Sequence, residues 1–319
     1  MQYWQAVVLG VVEGVTEFLP VSSTGHLLIT QKLLGIGTQS PQDWEAANAY
    51  AVCIQSGAIL AVLGLYLRRA RSVLAGGLGL LGLGRGDPAG LRLGLNLIVA
   101  FIPAAVIGLL LDDKIEALLF GVWPIVASWF VGGVVILLVA HRQRRRSAPS
   151  AEPAGADDAP KPAALGVESL SLRLALLIGL AQCIAMWPGT SRSLVTIVAG
   201  LLAGLSMAAA LEFSFLLGVV TLLAATLYKA LLSKMSLTIE GEETQRLVTV
   251  LAMARLYGWG PMVVGLAAAA GSAWLAVKGM VAYLSRHGLE VFGWYRIAAA
   301  AVTAGLVLGG YLSATQAWD

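Results

Sequence analysis

The chain of 319 residues is 58% hydrophobic and only 12% charged, and its mean hydropathy is +0.81. Because a soluble domain carries about 25% charged residues, this composition excludes an ordinary soluble protein and favours a polytopic membrane protein. The formal net charge is only +3, and the basic residues cluster at the ends of apolar runs, which suits a bilayer. We therefore expect no nucleic-acid partner.

The first apolar stretch, Tyr3–Leu34, is interrupted in its middle by the polar turn Pro20–His26, PVSSTGH. A later stretch, Leu172–Leu205, is interrupted in the same way by Pro188–Ser193, PGTSRS. Each half is short for a span, since crossing a bilayer takes about 20 helical residues. We therefore predict two re-entrant helical hairpins, whose turns must be buried in protein or line a cavity.

Six other runs are long enough, or nearly so, to cross a bilayer as helices. They lie at Ala47–Leu67, Leu93–Leu111, Val122–Ala140, Ala208–Tyr228, Met262–Leu284 and Phe292–Leu312. The predicted fold class is an all-α polytopic membrane protein with six transmembrane helices and two re-entrant hairpins.

Lysine and arginine residues predict the orientation of the chain, because short cytoplasmic loops are rich in both. The loop after the first span contains Arg68, Arg69, Arg71, Arg85 and Arg92. Arg142–Arg146 follow the third span, so both loops are predicted to be cytoplasmic. Asp112–Gly121, Lys229–Arg255 and both termini are then predicted to face outside.

The two halves of the chain are related by a shift of about 169 positions. Gly10–Glu13 then align with Gly179–Gln182, and Ser22–Thr24 align with Ser191–Ser193. Each half has one interrupted hairpin and three spans, and because three is odd the second half must be inverted. We predict a first repeat at 1–146, a flexible cytoplasmic linker at 147–164 and a second repeat at 165–319. Such inverted repeats place binding sites near the bilayer midplane.

Glu13 and Glu17 are four residues apart, so they share one helix face. Two unpaired carboxylates at membrane depth would cost several kcal/mol, so a cation, a shared proton or an arginine must compensate them. A hard divalent cation such as Mg²⁺ fits two carboxylates plus phosphate oxygens. Alternatively, this helix lies in the membrane interface with both glutamates in water.

Ser22, Ser23 and Thr24 in the first turn precede an apolar helix. Serine and threonine cap helices, and the free N–H groups of a helix N-terminus also bind anions. His26 is one of three histidines and lies three residues after Ser23, so both can face one ligand. We predict catalytic roles for Ser23 and His26, and phosphate contacts for Ser22 and Thr24.

Arg192 in the second turn is far from any basic cluster, and an intramembrane arginine is a functional hypothesis by default. Its five-donor guanidinium matches a phosphate group, and its neighbours Ser191 and Ser193 are predicted to assist it. The alternative is that Arg192 only neutralises Glu17 or Glu212. Two carboxylates, several hydroxyls, a histidine and an arginine together suit phosphoryl transfer on a lipid with a phosphate head.

Three motifs resemble the undecaprenyl-diphosphate phosphatases, the bacitracin-resistance family. They are EGVTEFLPVSSTGHL (Glu13–Leu27), PGTSRS (Pro188–Ser193) and EFSFLL (Glu212–Leu217), and the resemblance covers nearly the whole chain. It implies hydrolysis of undecaprenyl diphosphate to undecaprenyl phosphate and inorganic phosphate. This reaction recycles the carrier lipid of peptidoglycan synthesis, and so serves cell-wall biogenesis, cell shape and bacitracin resistance.

The resemblance also implies roles for residues and a location. Glu13 and Glu17 would be essential and tied to a divalent metal, Mg²⁺ or Ca²⁺. Ser23 and His26 would be catalytic, and Arg192 would bind phosphate. The protein would be a multi-pass protein of the bacterial inner membrane, often a homodimer, with a site that opens to the periplasm.

The chain departs from the family pattern at Ala51, where an acidic residue is usual, and at Leu194, where Gly or Ala is usual. Its linker is also longer and richer in proline. A lipid-phosphate flippase of the same architecture is the alternative function, since paired broken helices are also typical of transporters. For the enzyme, attack by Ser23, by His26 or by water all remain open.

Overall fold

The structure is a computed structural model that describes residues 1–147, 164–237 and 245–314. Most of the predicted linker at 147–164 therefore lies outside the described residues. The helices are α1 (Tyr3–Thr16), α2 (Ser23–Leu33), α3 (Pro41–Leu65), α4 (Leu67–Leu80), α5 (Pro88–Leu119), α6 (Val122–Ser147), α7 (Leu172–Gln182), α8 (Arg192–Leu202), α9 (Met207–Leu227), α10 (Thr249–Tyr257), α11 (Trp259–Leu284) and α12 (Glu290–Leu308). Two short strands, β1 (Lys234–Leu237) and β2 (Gln245–Val248), form an antiparallel pair.

Six helices of the described chain, α3, α5, α6, α9, α11 and α12, are long and apolar enough to span a membrane. The predicted all-α membrane fold class is therefore confirmed at this level. The predicted loop Asp112–Gly121 is wrong, because α5 continues into this range and ends only at Leu119. No glycine or proline stands between Gly108 and Gly121 to end the helix. The last span ends earlier than predicted, at Leu308, where Gly309 and Gly310 follow.

Two of the predicted loops contain regular structure. Helix α4 begins directly after α3 and carries Arg68, Arg69 and Arg71. The stretch Lys229–Arg255 contains the β1–β2 pair and most of α10. Met235 of β1 is fully buried in a cluster with Ala46 and Ala252, so this small sheet covers the first turns of α3.

The two interrupted stretches break where the sequence predicts. Helix α2 begins at Ser23 and α8 begins at Arg192, and the residue before each, Ser22 and Ser191, caps its helix. Both capping serines have φ of 75°, and they are the non-glycine residues with positive φ in the described chain. This conformation is unfavourable for a side chain with a Cβ, so the surrounding structure must hold both turns in the same unusual shape.

Glycine and alanine bring each short helix against a long one of the other half. Helix α1 runs beside the first half of α11, where Gly10 contacts the backbone of Gly265 and Ala269. Helix α7 runs beside α5, where Gly179 contacts the backbone of Ala100. Small residues at such crossings let helix backbones approach closely. Gly179 and Ala100 are related to Gly10 and Ala269 by the same shift of 169.

Contacts between helix ends define two faces of the bundle. On the first, called the basic face, Arg69 lies 2.6 Å from Glu212 and 2.8 Å from Glu168. Arg144 lies 2.6 Å from Glu290 on that face. On the opposite face, Lys32 at the end of α2 donates to the carbonyl of Ser313 at 3.1 Å. The rings of Trp44 and Phe120 also meet there, with centroids 5.8 Å apart.

Candidate active site

Three predicted site residues meet where the two turns face each other. The hydroxyl of Ser23 donates a hydrogen bond to Oε2 of Glu17. Nη2 of Arg192 lies 3.3 Å from the other carboxylate oxygen of Glu17. Ser23 and Glu17 are buried, and the side chain of Arg192 is only 12% exposed. Glu17 therefore joins a hydroxyl from the first turn to a guanidinium from the second.

The guanidinium of Arg192 is fixed by its surroundings. Nη1 donates to the carbonyl of Ser214 at 2.9 Å, and the group lies 5.2 Å from the ring centre of Phe18. Gly218 leaves room for this guanidinium, because a Cβ at position 218 would collide with the guanidinium. Of the two partners predicted as alternatives for Arg192, only Glu17 pairs with it, since Glu212 pairs with Arg69.

Glu13 lies one turn before Glu17, and both of its carboxylate oxygens are buried without a hydrogen-bond partner among the described residues. Gln182, related to Glu13 by the shift of 169, has the same property at both amide atoms, as does Nε of Arg192. Buried polar groups are rarely left unpaired in folded proteins. These orphaned atoms point to a ligand that completes the site.

A divalent cation fits this donor set only in part. Glu13 lies in the last turn of α1 and Glu17 is its C-cap residue, and carboxylates are hard oxygen donors of the kind that Mg²⁺ and Ca²⁺ prefer. The described residues contain no group of three or more His, Cys, Asp or Glu side chains that could hold a metal. A cation here would therefore take further oxygens from a phosphate or from water.

The imidazole of His26 lies between a backbone carbonyl and a tyrosine, and among the described residues no hydrogen bond joins it to the hydroxyl of Ser23. Its Nδ1 lies 2.6 Å from the carbonyl of Ser22, and its Nε2 lies 2.7 Å from the hydroxyl of Tyr295. Because a carbonyl can only accept, Nδ1 carries the proton and Nε2 accepts from Tyr295. The ring of Tyr295 stacks on that of His26. In this arrangement the base that contacts Ser23 is Glu17.

Three of the four remaining predicted phosphate contacts have other partners. Ser22 and Ser191 accept from the backbone N–H groups of Gly25 and Leu194 as helix caps. Ser193 donates to the carbonyl of Leu19 at 2.8 Å, which ties the second turn to the first. Thr24 is exposed. A phosphate contact for any of the four stays a prediction.

Arg296 of α12 is a residue that the sequence analysis missed. It is completely buried, and Nη2 donates to the carbonyls of Ser128 and Gly189 at 2.8 and 3.0 Å. Nη1 donates to Pro20 at 3.4 Å, so one guanidinium joins both turns to α6. The sequence did contain a signal for Arg296, because this residue stands within the predicted span Phe292–Leu312. An arginine inside a membrane span is a functional hypothesis by default. Tyr295 was missed as well.

Comparisons with known proteins identify relatives along the whole chain. The family model described as bacitracin resistance protein BacA matches residues 6–302. An undecaprenyl-diphosphatase of Sorangium cellulosum is 43% identical over 304 residues, 95% of this chain and 85% of the relative. Undecaprenyl-diphosphatase 1 of Chromobacterium violaceum is 38% identical over 317 residues, 99% of each chain. Undecaprenyl-diphosphatase 2 of Rhodospirillum rubrum is 40% identical over 309 residues, 97% of this chain and 96% of the relative.

Proposed function

The chain belongs to the bacitracin resistance protein BacA family, and from this premise we propose how it acts as an undecaprenyl-diphosphate phosphatase. The enzyme removes the terminal phosphate of undecaprenyl diphosphate and leaves the monophosphate carrier lipid of cell-wall synthesis. The observation that carries the mechanism is the contact of Ser23 with Glu17, beside Arg192. A nucleophile, a base and a phosphate-binding cation are thereby joined at one buried point.

Ser23 is the nucleophile in this mechanism. Its oxygen attacks the terminal phosphorus while Glu17 takes the hydroxyl proton. The bond from this phosphorus to the bridging oxygen breaks, and undecaprenyl phosphate leaves. Glu17 gives its proton to this leaving oxygen. Water then attacks the phosphoserine while Glu17 takes a proton from the water. The bond from phosphorus to the serine oxygen breaks, Glu17 returns that proton to the serine oxygen to regenerate Ser23, and inorganic phosphate leaves. Attack by His26 is disfavoured because Nε2 already accepts from Tyr295.

Arg192 and the orphaned groups supply the charge that the terminal phosphate needs. The guanidinium would exchange part of its contact with Glu17 for two phosphate oxygens, as its planar fork allows. The amide of Gln182 has free donors for another oxygen. A divalent cation held by Glu13 and Glu17 would neutralise the negative charge of the phosphoryl group. The carboxylate oxygens of Glu13, which are buried without a donor, support that cation.

Two inverted repeats, each with one re-entrant hairpin, form the architecture in our proposal. Helix α1 starts beside Gly260 at the beginning of α11, and Gly14 near its end lies against Ala273, about halfway along α11. Helix α2 then returns toward Ser313, which lies on the face of the bundle opposite to the basic face. The second hairpin begins and ends at the basic face, where Leu165 bridges Leu205. The two turns would thus meet near the bilayer midplane.

The location of the site follows from the same orientation. The basic face carries the arginines of α4, of the start of α5 and of the end of α6, so it would be cytoplasmic. The first hairpin, with Glu13, Glu17 and Ser23, would then enter from the periplasm of the bacterial inner membrane, and the site would open to that side. The homodimer implied by the resemblance stays a prediction.

The decisive experiment is phosphate release by the purified protein in detergent. We expect inorganic phosphate from undecaprenyl diphosphate, loss of activity with chelator, and recovery with Mg²⁺ or Ca²⁺. Glu13→Gln should abolish both the activity and the recovery while leaving the melting temperature close to that of the wild type. Glu45→Gln, a change on a part-buried carboxylate of α3 outside the site, is the matched control. Absence of phosphate release beside lipid movement in vesicles would instead support a flippase.

A further inference from the structure

A groove of about 680 Å³ lies apart from the candidate active site, between the first turns of α5 and α7. Its apolar wall consists of Pro88, Leu91, Leu95 and Leu172. Arg92, Arg173 and Ser171 complete the lining. The groove lies at the basic face, so it adjoins the head groups of one leaflet. An apolar wall beside two cations is an amphiphilic surface.

Neither arginine of the groove has an ion-pair partner within the part of the chain that the structure describes. Both side chains are exposed. Arg92 makes a single long hydrogen bond, from Nη2 to the carbonyl of Leu170 at 3.3 Å. The two guanidinium groups therefore keep most of their donors free for an anion.

The acidic residues that flank the groove in the sequence are engaged elsewhere. Asp87 accepts from the hydroxyl of Ser72 at 2.5 Å and from the N–H of Gly90 at 3.0 Å. The hydrogen bond from Ser72, followed by the one from Gly90, lowers the pKa of Asp87. Glu168 pairs with Arg69 at 2.8 Å. Neither carboxylate thus forms an ion pair with Arg92 or Arg173 among the described residues.

We propose that this groove binds an anionic phospholipid of the leaflet at the basic face. The lipid phosphate contacts Arg92 and Arg173, and an acyl chain lies along Leu91, Leu95 and Leu172. Basic pockets between transmembrane helices bind anionic head groups in this manner, and guanidinium groups bind phosphate oxygens in pairs. A soluble anion would satisfy the arginines but leave the leucines in water, so charge and apolarity together select a lipid.

The lipid site is separate from the candidate active site, but helix α7 connects the two. Ser171 caps α7, and Gln182 ends that helix about 16 Å further on, at 1.5 Å per residue. Just before the first turn of α7, Asn96 and Arg92 of α5 both donate hydrogen bonds to the carbonyl of Leu170. A bound lipid would add a further contact between α5 and the start of the hairpin that carries Arg192.

Native mass spectrometry of the full-length protein in a neutral detergent tests the proposal. Phosphatidylglycerol and phosphatidylcholine are titrated separately onto the wild type, onto Arg92→Gln/Arg173→Gln, and onto Arg71→Gln/Arg85→Gln. The last pair removes two exposed arginines of the same face that do not line the groove. We expect the groove variant to bind phosphatidylglycerol about tenfold more weakly than the wild type. The control variant should bind like the wild type, and phosphatidylcholine weakly to all three.

An equal loss of phosphatidylglycerol binding in both double variants would overturn the proposal, because a diffuse surface charge would then explain the binding. Displacement of bound phosphatidylglycerol by equimolar undecaprenyl phosphate would overturn it too, since the groove would then hold the reaction product. If the double variant does not fold, Arg173→Gln alone suffices, because that side chain is exposed. Lipid binding by mass needs no phosphatase activity, so its outcome is independent of the proposed function.

Discussion

The hydroxyl of Ser23 donates to the carboxylate of Glu17, although the two residues belong to different arms of the first turn. The same carboxylate accepts from Arg192 in the other half of the chain, 3.3 Å away. A single carboxylate therefore contacts both the hydroxyl of Ser23 and the guanidinium of Arg192. In the mechanism that we propose, Arg192 moves its bonds toward the phosphoryl oxygens when phosphate binds, and Glu17 is released to act as the base.

Ser23→Ala should lower kcat by about 1,000-fold or more, because the residual rate then depends on binding and charge alone. Glu17→Gln should be comparably inactive, since an amide cannot take the proton. Rapid quenching with terminally radiolabelled undecaprenyl diphosphate should label the wild type with an acid-stable phosphoserine. Acid-labile label that disappears in His26→Ala would show attack by His26, and no label during a single turnover would favour water.

Arg192→Lys should be nearly as inactive as Arg192→Ala, with each losing about 100-fold or more in kcat/KM. Lysine keeps the positive charge but loses the planar pair of donors for two phosphate oxygens. Gly218→Ala tests the position of the guanidinium without removing it, because the added Cβ would collide with the group. Gly64→Ala, whose Cβ would meet nothing within 4 Å, is the control. Substantial rescue by lysine would mean that Arg192 acts as a simple counter-charge.

Arg296→Met should both destabilise the protein and misalign its two turns. Several buried carbonyls would lose their donor, and each unpaired group costs about 1–3 kcal/mol. Gly132→Ala is the milder test, since its Cβ would displace the guanidinium of Arg296, whereas Gly305→Ala on α12 has open space. A positioning role predicts that Gly132→Ala lowers kcat more than it raises KM. A stable Gly132→Ala enzyme with normal kcat would exclude that role.

Tyr295→Phe should release His26 from its fixed tautomer, because Nε2 loses the donor that it accepts from. We expect a fall in kcat of about fivefold, the size of one hydrogen bond between neutral groups. The ¹⁵N resonances of His26 should shift from the Nδ1–H tautomer toward a mixture of both. Tyr311→Phe, at an 81% exposed position, should change neither. Unchanged ¹⁵N shifts in Tyr295→Phe would show that the backbone carbonyl of Ser22 alone sets the tautomer.

Cysteine labelling in intact cells tests the predicted orientation. In a background without Cys53 and Cys183, an impermeant reagent should label Lys234→Cys on β1 but not Ser285→Cys after α11. Both positions are exposed, and they lie on opposite faces of the bundle. The reverse pattern would invert the topology, and would move the opening of the site to the cytoplasm.

The sequence by itself determined the features that depend on neighbouring residues. Long apolar runs predicted the six spans, and Pro20 and Pro188 with their polar neighbours predicted the two interruptions, because length, apolarity and turn chemistry are local properties. The same local logic singled out Glu13, Glu17, Ser23 and Arg192, since polar groups at membrane depth need a reason to be there.

Only the tertiary structure decided which of those groups touch. Arg192 meets Glu17 across 175 positions, and Arg296 reaches the carbonyl of Pro20 across 276. The sequence offered Glu17 and Glu212 equally as partners of Arg192, and it did not indicate which side chain contacts Ser23. The packing of the two halves determines these contacts, because glycines at the helix crossings set how closely the helices approach. The helix spacing in turn determines which side chains come within hydrogen-bond distance.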